Sequence, residues 1–80
     1  MGLAVCGDKV VETDREVRYR FGASETDPDA GVLVIPVADP GSWHVEGRID
    51  RPLAAQRVWA KAVRSRRTAD AWPDRASFLS

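Results

Sequence analysis

The only thiol and the only imidazole in this 80-residue chain are Cys6 and His44. A Cys–His pair does nucleophilic chemistry only when the two groups lie within hydrogen-bond reach. Cys6 falls in what reads as a loose N-terminal segment, residues 1–8, and His44 on a short strand, so the spacing gives them no reason to meet. They read as a small apolar cysteine and a solvated histidine. Neither a serine-centred nucleophile elbow nor a glycine-rich phosphate cradle is present, since Gly41 and Gly47 stand alone. The stretch Asp27-Pro28-Asp29-Ala30-Gly31, with Glu25 before it, has alternating carboxylates and a glycine, as calcium loops do. The later ligands and the closing bidentate glutamate are missing, so it reads as a solvated loop. The expectation is therefore a non-enzyme with no catalytic residue, no metal ligands and no cofactor.

Binding chemistry has more support. Arg57, Lys61 and Arg64 are spaced at four and three, which crowds their heads on one helical surface, and Arg67 lies close by. Such a row docks an acidic partner or neutralises phosphates, or it is a solvated face favoured near a helix C-terminus by the dipole. Trp72, beside Pro73, either closes the edge of the core or stands out as a contact anchor, a use to which tryptophan is well suited. These five residues form the candidate protein-binding set. An alternative set for nucleic acid joins Arg18 and Arg20 to Arg57, Lys61 and Arg64. Arg66 falls within the apolar stripe and is expected to snorkel to water.

Charge is segregated. Residues 1–50 hold ten acidic and five basic side chains, net −5, and residues 51–80 hold two and seven, net +5. The zero total hides an acidic strand-rich part and a basic helical part. A domain with no net positive charge starts without long-range attraction to phosphate, which ranks nucleic acid below protein as a partner.

The elements that must position these residues follow from periodicity. Val10-Val11 marks a short strand within 9–12, and Thr13-Asp14-Arg15 a tight connection. Residues 16–21 alternate cleanly, with Val17, Tyr19 and Phe21 on one face and Glu16, Arg18 and Arg20 on the other. Residues 22–30 read as a loop. Residues 31–37 are apolar on both faces, the pattern of a strand covered on both sides, with Pro36 favouring an edge or a bulge. Asp39-Pro40-Gly41-Ser42 fits a type II turn. In residues 43–46, Trp43 and Val45 point inward and His44 and Glu46 outward.

The one helix is expected over 52–68, with Asp50 or Arg51 as its N-cap. Its apolar stripe holds Ala55, Val58, Trp59, Ala62, Val63 and Ala69, opposite Arg57, Lys61, Arg64 and Thr68. Trp72-Pro73 ends it, and the tail docks through Phe78 and Leu79, as a short extra strand.

The expected fold is thus a single small α+β domain over residues 1–80: an antiparallel three- to four-stranded β meander with one C-terminal helix packed across one face. Residues 1–8 form a loose N-terminal segment, 9–49 the strands, 50–69 the helix and 70–80 a docked tail. Tyr19, Phe21, Val34, Trp43, Val45, Val58, Trp59, Ala62 and Val63 form the expected core. At this size only about 60–65% of the unfolded surface is buried, and one cysteine excludes an internal disulfide, so association is a natural source of further burial. No apolar run reaches the ~18 residues of a membrane span. The first residues lack a basic n-region, and Cys6 stands where a myristoylation signal needs Ser or Thr. A cytoplasmic protein with a reduced thiol is expected. The functional expectation is an accessory module that binds another protein or a second copy of itself.

Overall fold

The structure is a computed structural model, which describes residues 4–22, 30–76 and 78–79. Four strands run as an antiparallel meander, β1 (Ala4–Glu12), β2 (Glu16–Gly22), β3 (Gly31–Pro36) and β4 (His44–Val45). One helix, α1 (Leu53–Ala69), lies across one face, and a two-residue strand β5 (Phe78–Leu79) returns to β1, giving the order β4-β3-β2-β1-β5. The α+β meander with a C-terminal helix stands as expected. The calcium-loop motif at 27–31 lies largely outside the described residues.

The first correction concerns the N-terminus. Residues 1–8 were expected to be loose, yet β1 begins at Ala4. Its backbone is held from both sides. Cys6, Gly7 and Asp8 register with Gly22, Phe21 and Arg20 of β2. On the other edge Ala4 and Val5 pair with Leu79 and Phe78, Lys9 N–H donates to Asp74 O at 2.8 Å, and Ala76 N–H donates to Gly7 O at 2.7 Å. The tail therefore zips along β1 as the extra strand its apolar residues suggested. The weak β formers Ala4, Cys6 and Gly7 are held by this two-sided pairing rather than by propensity. A register shift between Lys9 and Val11 leaves Val10 as a bulge at the sheet edge, where it is exposed.

Parity in β3 gives the second correction. Leu33 and Ile35 register with Tyr19 and Val17 and join them under the helix, while Val34 registers with Arg18 on the opposite face. Val34 is buried, but it is not part of the helix-side core in which it was expected. Alternation could not fix the parity because both faces of this strand are apolar. Arg18 covers the far side: its guanidinium pairs with Glu16 on its own strand and reaches across β3 to Glu46, at 3.1 Å.

Asp39 to Ser42 forms a 3-10 turn rather than a type II turn. Gly41 keeps a negative φ, and Ser42 donates from its N–H to Asp39 O and from its hydroxyl to the Asp39 carboxylate. The helix is not capped by Asp50 or Arg51. Pro52 occupies the cap position without a side-chain bond, and Asp50 is held by Arg48 at 2.7 Å and 2.8 Å, which lowers its carboxyl below the ordinary range. At the other end Asp70 takes the left-handed conformation and donates its N–H to Arg66 O, closing the last turn.

α1 buries Ala55, Val58 and Ala62, small residues that let it approach the sheet closely. The approach is tight at Gly7. A Cβ there would stand 2.6 Å from Val58 Cγ1 and 2.9 Å from Ala76 O. Gly7→Ala is expected to cost about 1–3 kcal/mol through overpacking. Gly41→Ala, whose Cβ would meet only Asp39 Oδ1 at 3.6 Å, serves as the neutral control. Urea unfolding of both variants measures the difference.

Tyr19 anchors the turn after the helix, donating from its buried phenol to Pro73 O at 2.6 Å. Burial, and then the nearby charges of Glu12 and Asp74, push the phenol well above its ordinary 10.0. Above pH 10 the unfolded chain loses this proton while the folded chain keeps it. Stability therefore falls as pH rises, by up to about 1.4 kcal/mol per pH unit for one such group. Tyr19→Phe is expected to lose about 1 kcal/mol at neutral pH and to show a shallower decline between about pH 10 and 11, read from denaturation midpoints across that range.

Candidate functional site: the cationic face of the helix

The seventeen residues of α1 include Arg57, Lys61, Arg64, Arg66 and Arg67 and no acid. Arg57, Lys61, Arg64 and Arg67 are exposed, as the periodicity required once Val58 and Ala62 face the sheet. Elsewhere five cations are matched by carboxylates, while Arg15, Arg20 and Arg51 enter no ion pair among the described residues. Lys9 binds Glu12 at 2.6 Å and Asp74 at 3.1 Å, and these contacts, led by the Glu12 hydrogen bond, raise its ammonium above the ordinary value. Arg18 pairs with Glu16 and Glu46, Arg48 with Asp50, Arg66 with Asp70 and Arg75 with Asp8. Among the described residues, Lys61, Arg64 and Arg67 enter no ion pair. Arg66, expected to snorkel from the apolar stripe, is half-buried and held by its partner one turn on.

Beside this row runs a groove enclosing about 370 Å³, lined by Trp59, Ala60, Val63, Arg64, Arg67 and Thr68. Trp59 is a fixed wall. Its ring stacks on Trp43 with centroids 5.7 Å apart and planes 25° apart, and its indole N–H donates to Pro40 O at 2.8 Å. Arg51 completes the stack, its guanidinium 4.6 Å from the centre of the Trp43 ring and one nitrogen donating to Gly41 O at 3.2 Å. The turn after β3, the entry to the helix and the helix itself are thus locked together around two indoles. Trp59 and Val63, expected as full core residues, are half-buried and supply the apolar edge of the groove.

The structure corrects two other assignments. Trp72 is buried, 7% exposed, and belongs to the core, so it is no contact anchor. Arg18 and Arg20 lie on the sheet face opposite α1, because Val17, Tyr19 and Phe21 of the same strand point to the helix. The alternative nucleic-acid set therefore divides between two sides of the molecule. Cys6 and His44 also stay apart. Both strands β2 and β3 intervene, and Cys6 registers with Gly22, four residues beyond the Arg18–Val34–His44 row. That places them roughly 19 Å from each other. No group of three His, Cys, Asp or Glu residues among the described ones is arranged to hold a metal ion.

The sequence reading found the cations and missed the groove. The signal was present as two rows at a spacing of four, Trp59-Val63-Arg67 and Ala60-Arg64-Thr68. Trp59→Phe is expected to abolish the coupled indole signal in near-ultraviolet circular dichroism and to cost about 1 kcal/mol for the lost bond to Pro40.

No helix among the described residues is long and apolar enough to cross a membrane. Comparison of the chain with protein-family models, with curated proteins and with solved structures finds no match in any of the three, so the functional argument rests on this geometry.

Proposed function

We propose that this chain is a small non-enzymatic binding module that docks another protein through the outward face of α1, in a cytoplasmic setting where Cys6 remains reduced. One observation carries the reading. Lys61, Arg64 and Arg67 lack carboxylate partners among the described residues and lie together on one helix, whereas five other cations have partners and the unpaired Arg15, Arg20 and Arg51 stand on separate segments. Exposed cations gathered on one side of the helix raise the local concentration of an acidic partner and orient its approach. That side sits on a rigid scaffold, so little order has to be created on binding. The division of charge between the two halves of the chain supports the same view. It also admits a second copy of the chain as the partner, the acidic part of one meeting the helix of the other.

Nucleic acid is the weaker reading, because the strand arginines and the helix cations cannot contact one surface together. Pull-down from the native host distinguishes these readings. Lys61→Glu/Arg64→Glu/Arg67→Glu is expected to lose the bound protein at least tenfold with the fold intact, and Arg18→Glu/Arg20→Glu to retain it. Salt-sensitive retention on DNA at about 50 mM salt, governed by Arg18 and Arg20, would sink the proposal. A complex indifferent to the helix variant would do the same.

A further inference from the structure

The six residues lining the groove form two neighbouring ridges of α1, each with a spacing of four: Trp59, Val63 and Arg67 on one side, Ala60, Arg64 and Thr68 on the other. A furrow between two such ridges is the surface into which a second helix packs, at about −50° to the first. Both walls change character along their length. The N-terminal half is apolar, with Trp59, Ala60 and Val63, and the C-terminal half is polar and doubly cationic, with Arg64, Arg67 and Thr68. Ala60 contributes only a methyl group, so a helix can approach closely at that point. Trp59 is already immobilised by Trp43 and Pro40, so the apolar wall costs little to order on binding.

From this we infer that the groove takes an amphipathic acidic helix of a partner protein, seated with its apolar ridge against Trp59, Ala60 and Val63 and its carboxylates on Arg64 and Arg67. The inference rests on the reading of α1 as a protein-docking face and adds the form and polarity of what docks. Carboxylates are favoured in the first turns of a helix and cations in the last. The partner's acidic N-terminal turns therefore lie over the C-terminal half of α1, and the two helices run antiparallel. That arrangement also sets the positive end of the partner's dipole against the negative end of α1. A second α1 is a poor occupant, because it offers five cations and no acid to a cationic groove. Arg64 and Arg67 are three apart on one helix, a spacing of about 5–6 Å that matches carboxylates three or four apart on another.

The probe is an acetylated and amidated peptide of about sixteen residues, with Glu pairs four apart in its first two turns and Leu pairs four apart in the next two. Binding is read by fluorescence anisotropy with the full chain, and folding of each variant by circular dichroism. The helical peptide is expected to bind, and Glu→Gln, Leu→Ala or a central proline each to weaken it at least tenfold. Ala60→Glu in the exposed apolar wall of the groove is expected to weaken it at least tenfold, and Arg18→Glu to leave it unchanged. If the proline-broken peptide, or an extended acidic peptide of equal charge, binds as well as the helical one, the inference falls while the docking face stands. The same holds if Ala60→Glu has no effect on an otherwise charge-dependent complex. Failure of every acidic peptide to bind overturns both. A homodimer in sedimentation equilibrium that Ala60→Glu dissociates would assign the groove to a second copy and overturn the inference.

Discussion

The tight approach of helix to sheet at Gly7, under Val58, is the constraint from which the rest of the surface follows. A Cβ there would collide with a valine methyl and with the Ala76 carbonyl, so one of them would have to shift. The helix packs over β2 and β1, with Ala55 and Ala62 on the same buried stripe as Val58. Trp59 is then carried to the rim, where it meets Trp43 and the Pro40 carbonyl instead of entering the core. The opposite stripe is left to Arg57, Lys61 and Arg64 with Thr68. The rotation of α1 about its axis, with Ala55, Val58 and Ala62 turned to the sheet, thus decides which side chains face a partner.

The tail completes this arrangement. The Ala76 carbonyl that crowds Gly7 belongs to the segment that pairs with β1, and the turn leading to it is fixed by Tyr19, Lys9 and the buried Trp72. Helix and tail are therefore held against the same strand from two directions. On the far side of the sheet Val34 marks the outer face of β3. The ion pairs of Arg18 with Glu16 and Glu46 span it and accompany the burial of Val34. Exposed pairs of this kind contribute little net stability, typically 0–1 kcal/mol. Their consequence is that Arg18 is matched on the sheet face, in contrast to Lys61, Arg64 and Arg67 on the helix face.

Much of this was legible in the chain. The alternation of Val17, Tyr19 and Phe21 named the inner face of the sheet, and the spacing of Val58 and Ala62 named the inner face of the helix. The same spacing put Arg57, Lys61, Arg64 and Arg67 in water. Other features were hidden because they depend on partners distant in sequence. Nothing local in Ala4 to Gly7 announces a strand, since its order comes from the tail some seventy residues later. The doubly apolar β3 could not declare its parity, which is why Val34 was misplaced. Pro40-Gly41 satisfied a type II turn on composition, yet the Asp39–Ser42 bonds selected a 3-10 turn. Trp72 is ambiguous on its own, and only the docking of the tail, with Lys9 reaching its carbonyl, buries it. The groove was missed for a different reason. A stripe assigned wholesale to the core leaves no room for its two half-buried members to serve both the interior and the surface.

That double duty explains why charge alone is an incomplete description of the helix face. A row of exposed cations attracts many anions, and long-range attraction governs how fast they arrive more than which of them stays. Discrimination requires groups that are desolvated on contact and a wall that does not yield. Here the wall is the indole of Trp59, held edgewise by a carbonyl and facewise by a second indole that Arg51 covers in turn. Loosening that stack would leave the charge of Arg64 and Arg67 unchanged but free the apolar edge beside them. Attraction and shape selectivity are therefore separable on this surface, the first residing in α1 itself and the second in the loop that carries Pro40 and Trp43. A partner that needs only charge would ignore that loop, whereas one that needs shape would sense it through Trp59.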